Sequence, residues 1–296
     1  MTALATSQAA SHAGDGDDAP GAPRADCIAD SAGGLTFDVT DPGEPGTDAA
    51  HLLLRRRDAD SAEDYVRLPL SPSADGRLRA ALPSSVELAE GRWNAYAQVA
   101  GGELRRLMPG VNDLRSLVDR APSGSRGHVA VRIPYATKQG NLSVRSWLRA
   151  PHAEAGEVEI SADRMAVRGR VYGTELSADA YVEAVRRDEP GRVHQAEAVT
   201  EGPEFTVTLP YGPLAEGGTG PWDLWLLPAG DGGPRVRLAR LLDDVADKKA
   251  IFTYPVVVLD TAEHGKVEAG PYYTNDNDLA VRVRAMDGAA EEAADS

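Results

Sequence analysis

Pro134-Tyr135-Ala136-Thr137-Lys138-Gln139-Gly140-Asn141-Leu142-Ser143-Val144-Arg145 and Pro271-Tyr272-Tyr273-Thr274-Asn275-Asp276-Asn277-Asp278-Leu279-Ala280-Val281-Arg282 share the pattern P-Y-x-T-x-x-x-[N/D]-L-x-V-R. Reading backwards from each copy finds further matches in the same order. Gly91-Arg92-Trp93-Asn94-Ala95-Tyr96 answers Gly220-Pro221-Trp222-Asp223-Leu224-Trp225, Leu82-Pro83 answers Leu209-Pro210, and Arg56-Arg57-Asp58 answers Arg186-Arg187-Asp188. One modest insertion after Val236 keeps the anchors collinear. Collinear self-similarity is the mark of one structural unit used twice.

Each copy is built of short runs separated by turn residues. Leu35-Thr36-Phe37-Asp38-Val39 alternates apolar and polar before Asp41-Pro42-Gly43 breaks it. Runs at 51–57, 65–70, 77–82, 93–99, 103–108, 129–134 and 142–148 continue the series. Beyond 150 come 158–160, 165–172, 180–186, 205–209, 222–227, 236–241, 251–259 and 279–283. Evenly spaced strands of this length predict an all-β protein of two tandem β-sandwiches, 31–150 and 157–286. The polar, Pro- and Gly-bracketed stretch Arg149–Gly156 is the expected boundary. Helix is expected only as a turn or two within Asn112–Arg120, with Leu241–Val245 in the corresponding place. Residues 1–30 and 287–296, acidic and poor in apolar periodicity, are expected as disordered tails.

The 296 residues carry a formal charge of −15, which removes the clustered basic footprint that nucleic acid requires. No run approaches the roughly 18 apolar residues that span a bilayer, and no basic stretch followed by an apolar run is visible near Met1, so no signal peptide is expected. Cys27 is the single cysteine, so no intramolecular disulfide forms; a reducing, cytoplasmic setting is the simplest expectation.

The G-x-W-[N/D]-x-[Y/W] element resembles the F strand of immunoglobulin-like and fibronectin-type sandwiches, over roughly 80 residues of each copy. The resemblance implies that Trp93 and Trp222 pack across a core. Tyr96 and Trp225, three residues on, fall on the opposite strand face and are candidates for ligand contact or packing between domains. In the repeated motif, Leu142 and Val144 are expected inward, with Ser143 and Arg145 outward. Asn141 and Asp278 are expected to bond their own turn backbone, and Tyr135 and Tyr272 to anchor it; these four complete the candidate ligand-binding set.

Signatures of chemistry are sparse. There is no phosphate loop, H-E-x-x-H, C-x-x-C or G-x-S-x-G, and the six histidines lack ligand spacing. Asp58-Ala59-Asp60 and Asp276-Asn277-Asp278 have the D-x-D form that holds divalent metal in nucleotide-sugar transferases, but aspartate is frequent enough here to produce such pairs by chance. No catalytic residue, metal or cofactor is therefore expected. The stretch 134–145, followed by the strands from Val158 to Gly173, resembles the β-rich accessory segments of actinobacterial wall-polymer transferases, the glycosyl- and CDP-glycerol glycerophosphotransferase group. The resemblance implies a non-catalytic binding or scaffolding module that engages a glycan or a transferase partner. The alternatives are a transferase site at the domain junction, using Asp58, His152 and Asp188, and a purely structural protein.

Overall fold

The computed structural model describes residues 22–40, 50–57, 65–99, 102–118, 120–122 and 127–286. The N-terminal 21 residues and those after 286, expected as tails, lie outside them. The fold is nearly all β. A first unit comprises β1 (Arg24–Ala29), β2 (Leu35–Val39), β3 (His51–Arg56), β4 (Tyr65–Pro69), β5 (Ser71–Pro72), β6 (Leu78–Leu82), β7 (Gly91–Gln98), β8 (Arg105–Arg106), β9 (Met108–Asp113), β10 (Val129–Ala136) and β11 (Leu142–Arg149). The second comprises β12 (His152–Ile160), β13 (Arg164–Tyr172), β14 (Tyr181–Arg186), β15 (Val193–Glu201), β16 (Glu204–Pro210), β17 (Gly220–Asp231), β18 (Val236–Ala239), β19 (Val257–Thr261), β20 (Gly265–Tyr273) and β21 (Leu279–Ala285). One short α-helix, Gly212–Glu216, is described, at a place where the sequence shows no helical period.

The ladders of the first unit recur in the second. β1 runs antiparallel to β2 and parallel to β9, as β12 does to β13 and β18. β3 lies between β4 and β7, as β14 lies between β15 and β17. A row of paired residues crosses the first unit as Arg56, Trp93, Val144 and Pro134, and the second as Arg186, Trp222, Val281 and Pro271. The side-chain period of two means that this shared register puts corresponding residues on corresponding faces. Trp93, Ala95 and Ala97 face one core; Trp222, Leu224 and Leu226 face the other.

The two units close differently. In the second, β14, β15, β16, β13, β12, β18 and β17 form a seven-stranded barrel, because β14 also pairs with β17. The sheet pair expected there is thus joined at both edges, and β15 is long enough to serve β14 with one half and β16 with the other. In the first unit the two sheets remain separate ladders. The chain between β4 and β5 is interrupted at the inward-turned Leu70, with Pro69 and Pro72 unable to donate to a continuous ladder. The expected strand at 103–108 is interrupted likewise at the fully buried Leu107.

Three other expectations are corrected. Residues 24–29, expected within the tail, are β1: Ala25, Cys27 and Ala29 alternate into the core against β2 and β9, so partner strands supply what composition lacked. Burial there pushes the Cys27 thiol up to about 12, with Asp26 and Asp38 adding to it, so the thiol is not a ready nucleophile. The expected boundary is β-strand on both sides, with only Ala150 and Pro151 between β11 and β12, since Ala153 and Ala155 are core residues. The helical turn expected within Asn112–Arg120 is there, a single 3-10 turn at Arg115–Leu117 just after β9, with Leu117 buried. The 3-10 turn of the second unit is at Lys248–Ala250, not at 241–245.

The second unit reaches into the first. Ala239 and Leu241 are buried in the first unit's core, with Tyr172, Leu242 and Ala246 packed against it. The turn of the second motif copy, Thr274–Asp278, seats on the outer face of the strand carrying the first copy. Trp147 Nε1 donates to the Asp276 carbonyl at 3.1 Å, Arg145 pairs with the Asp276 carboxylate, and Arg149 reaches Asp278 Oδ1 at 3.4 Å. Ser143 and Arg145 do leave the core side of β11, as alternation requires, but they are buried because this face is covered.

Candidate functional site

The repeated motif owes its turn to its threonine. Thr137 Oγ1 accepts the Asn141 amide at 3.1 Å, and Thr274 Oγ1 accepts the amides of Asp276 and Asp278, each at 3.2 Å. Asn141 and Asp278 were expected to make this bond with their side chains; it is their backbone N–H groups that take part. The fourth turn residue sits at φ 78° in Gly140 and 61° in Asn277, a left-handed conformation that asparagine tolerates better than most side chains. Thr137→Ala should cost about 1 kcal/mol and Thr274→Ala about 2 kcal/mol, one net hydrogen bond against two, read from urea unfolding midpoints. Equal losses would show that the extra bond in the second turn carries no weight.

Asp278 is not free to meet a ligand. Its carboxylate is 14 % exposed, between Arg149 at 3.4 Å and Arg237 at 3.5 Å. Burial raises its pKa, against the pull of the two guanidiniums. Asp276, the other carboxylate of the D-x-D pair, is held by Arg145. Among the described residues no group of three or more His, Cys, Asp or Glu side chains converges in a way that could hold a metal ion. Asp58 and Asp60 lie outside them.

Tyr96 and Trp225 do leave the core on the face opposite Trp93 and Trp222, and both are half-buried beneath arginines. The Arg106 guanidinium lies 4.9 Å from the Tyr96 ring, and those of Arg235 and Arg237 lie 4.8 and 4.9 Å from Trp225. Beneath them Asn94 accepts from Arg106 at 3.2 Å and Ser143 at 3.0 Å. The equivalent Asp223 accepts from Arg187 and Arg237. Burial raises the Asp223 pKa, but Arg187 and Arg237 outweigh it and hold the carboxyl below its usual range. Arg235 is in turn paired with Glu183 at 3.1 Å. The arginines over Trp225 have carboxylate partners, the one over Tyr96 has neutral acceptors, and both rings are engaged in cation–π packing.

Tyr272 opens onto a different setting. It lines a groove of about 290 Å3 at the far end of the second unit, with Phe252, Tyr254, Lys249, Arg282 and Arg284. Arg282 stacks on Tyr272, 4.1 Å from its centroid. Lys249 reaches Asn275 Oδ1 at 3.3 Å, and Glu268 is the one carboxylate lining the groove. Among the described residues neither Arg282 nor Arg284 has an ion-pair or hydrogen-bond partner. On a chain of charge −15 this is a local surplus of positive charge. A Debye length of about 8 Å at physiological salt leaves the field inside the groove to these neighbours, not to distant carboxylates.

Of the residues singled out from sequence, the groove contains Tyr272 alone. Tyr135, its counterpart, is half-buried at the end of β10, and Asn141 stays in the exposed first turn. Arg282 closes the repeated motif and was visible as such; its lack of a partner was not. Lys249, Phe252 and Tyr254 come from a segment whose sequence shows only a strand-like run. Of the junction set, Asp58 lies outside the described residues. His152 is 1 % exposed, with Nε2 2.7 Å from Glu154 and its ring stacked on Tyr172, while Asp188 is an exposed partner of Arg186.

No protein-family profile and no curated protein matches the chain. Among solved structures, S. aureus TarS, a wall teichoic acid glycosyltransferase, is matched at a TM-score of 0.38 and 10 % identity over 55 % of this chain and 29 % of that one. A structure of S. aureus TarS residues 217–571 is matched at 0.28 and 14 % identity over 63 % of this chain and 55 % of that one. The chain thus spans little more than a quarter and about half of those two chains, and likeness at this level transfers no activity.

Proposed function

We propose that this is a non-catalytic binding or scaffolding protein of envelope glycopolymer metabolism, which uses the groove at Tyr272, Arg282 and Arg284 to hold an anionic group of a glycan or transferase partner. The observation that carries the reading is a pair of arginines without an ion-pair or side-chain hydrogen-bond partner among the described residues, set over an aromatic floor. Elsewhere, four of the side chains that sequence offers for chemistry have internal partners: Asp276 and Asp278 have arginines, Asp188 has Arg186, and His152 is sealed against Glu154. The glycopolymer setting rests on the resemblance of 134–145 to wall-polymer transferase accessory segments.

In the same reading the two units are a tandem duplication of an immunoglobulin-like fold. In support, β6, β2 and β1 follow the E-B-A order, β3, β7 and β8 the C-F-G order, and β9 returns parallel to β1. The shared register through Trp93 and Trp222 supports the duplication.

Calorimetric titration with poly(glycerol phosphate), against neutral dextran as control, tests the binding reading alongside a pull-down from a native lysate. Saturable binding of the polyanion, or capture of an envelope transferase, is expected, weakened at least about tenfold by Arg282→Glu. Silence in both experiments removes the reading. Turnover of a nucleotide-activated sugar or of CDP-glycerol by the purified chain would replace it with the transferase alternative.

A further inference from the structure

The joint between the units shows what such a groove accepts. On the first unit, the seat of the Thr274–Asp278 turn is made by Arg145 and Trp147 of β11 and by Arg92 of β7, which faces Arg145 across the ladder and reaches the Asn275 carbonyl at 3.5 Å. The motif register carries these positions onto the second unit as Arg282, Arg284 and Pro221. Arg282 therefore stands where Arg145 holds a carboxylate. Beside it, Gly270 faces Arg282 on β20 where Ile133 faces Arg145 on β10, and the Pro255–Val256 segment packs closely against this glycine to form one wall of the groove. Among the described residues no acidic turn pairs with Arg282 and Arg284 on the second unit as Asp276 pairs with Arg145 on the first.

We propose that the groove of the second unit docks an acidic β-turn of another protein, in the way that the first unit docks Thr274–Asp278. This rests on the binding reading above and specifies its partner as polypeptide. Charge decides the occupant. A second copy of this chain would have to offer its own free turn, Thr137–Asn141, in which Lys138 and Gln139 replace Asn275 and Asp276. Lys138 would then approach Lys249, Arg282 and Arg284, a like-charge contact that disfavours head-to-tail stacking. An Asp at the position of Gln139 would instead find in Arg282 the pairing that Asp276 finds in Arg145, and Arg284 would offer a second donor in place of the indole N–H of Trp147.

The test uses the full chain and three disulfide-closed hairpin peptides. One carries the Thr274–Asp278 turn, one the same turn with both aspartates replaced by asparagine, and one the Thr137–Asn141 turn. Fluorescence polarisation should show saturable binding of the acidic hairpin. Its affinity should fall at least about tenfold for the amide hairpin, and likewise for the chain with Arg282→Glu or with the exposed Arg284→Glu. The Thr137–Asn141 hairpin should not compete. Thermal unfolding of each variant establishes that the groove is still formed, and Arg284→Glu keeps the test valid should Arg282→Glu disturb Tyr272. Equal binding of acidic and amide hairpins, indifference to both charge reversals, or preference for the Thr137–Asn141 hairpin overturns the proposal. Binding of poly(glycerol phosphate) without the acidic hairpin overturns it while leaving the broader reading in place; failure of hairpin, polymer and lysate capture together removes both.

Discussion

Trp147→Ala is expected to lower the unfolding free energy by about 3–5 kcal/mol, among the largest effects available to a single substitution in this chain. The indole is fully buried on the outer face of β11, between the first unit and the turn seated on it, so truncation opens a cavity that rigid ladders on either side cannot close. Two further losses add to the transfer term. Arg145, whose guanidinium lies 4.9 Å from the ring, loses its stacking surface, and the Asp276 carbonyl loses its donor. Trp147→Phe, which keeps most of the volume and discards the donor, should cost much less. Urea unfolding at neutral pH gives the size of the effect, and amide exchange gives its place. Exchange should accelerate both in β10 and β11 and in the 274–278 turn, because one side chain packs on the first unit and holds the second unit to it. A loss below about 1.5 kcal/mol, or faster exchange confined to the first unit, would show that the joint is held by the arginines alone.

Trp147 also marks a limit of what alternation reveals. The period of two put Trp93 and Trp222 inside and Tyr96 and Trp225 on the opposite face, and the burial of β7 and β17 follows that pattern. It failed on β11, where all six residues from Leu142 to Trp147 are buried. One face of that strand packs on its own core and the other receives a turn from more than 120 residues away, and no local pattern records a long-range contact of that kind. β1 and β15 escaped notice for the converse reason. Their inward residues are small, Ala25, Cys27 and Ala29 in one and Ala196 and Ala198 in the other, so neighbouring strands create the burial. The groove was half legible: Tyr272 and Arg282 belong to the repeated motif. The segment that brings Lys249, Phe252 and Tyr254 beside them is irregular chain, placed by the seating of Lys248 and Asn277 in the joint.

That seating leads to the second large effect, Asp243→Ala, expected to cost about 3–5 kcal/mol at neutral pH. The Lys248 ammonium is wholly buried; it donates to Asp243 Oδ1 at 2.6 Å and to the Val245 carbonyl at 2.7 Å, and Asp243 also accepts from Arg240 at 3.0 Å. Removing the carboxylate strands one buried cation and frees another. Lys248→Met removes the buried ammonium together with its desolvation cost and leaves Asp243 paired with Arg240, so it should cost less than Asp243→Ala; replacing both partners, Asp243→Leu with Lys248→Met, should recover most of the loss. The pH dependence separates this account from a packing defect. Burial already holds the Lys248 pKa below 10.5, and losing Asp243 lowers it further. Between the folded pKa and 10.5 the unfolded chain binds more protons than the folded one, so stability contributed by this group rises with pH across that window. The penalty of Asp243→Ala, measured against wild type at each pH so that the buried tyrosines cancel, should therefore be fully present below the variant's folded Lys248 pKa, shrink as pH climbs from there to the wild type's folded pKa, and stay level above it. A penalty that stays constant from pH 7 to 10 would mean that Asp243 acts through its backbone turn and Arg240, with Lys248 indifferent to its charge.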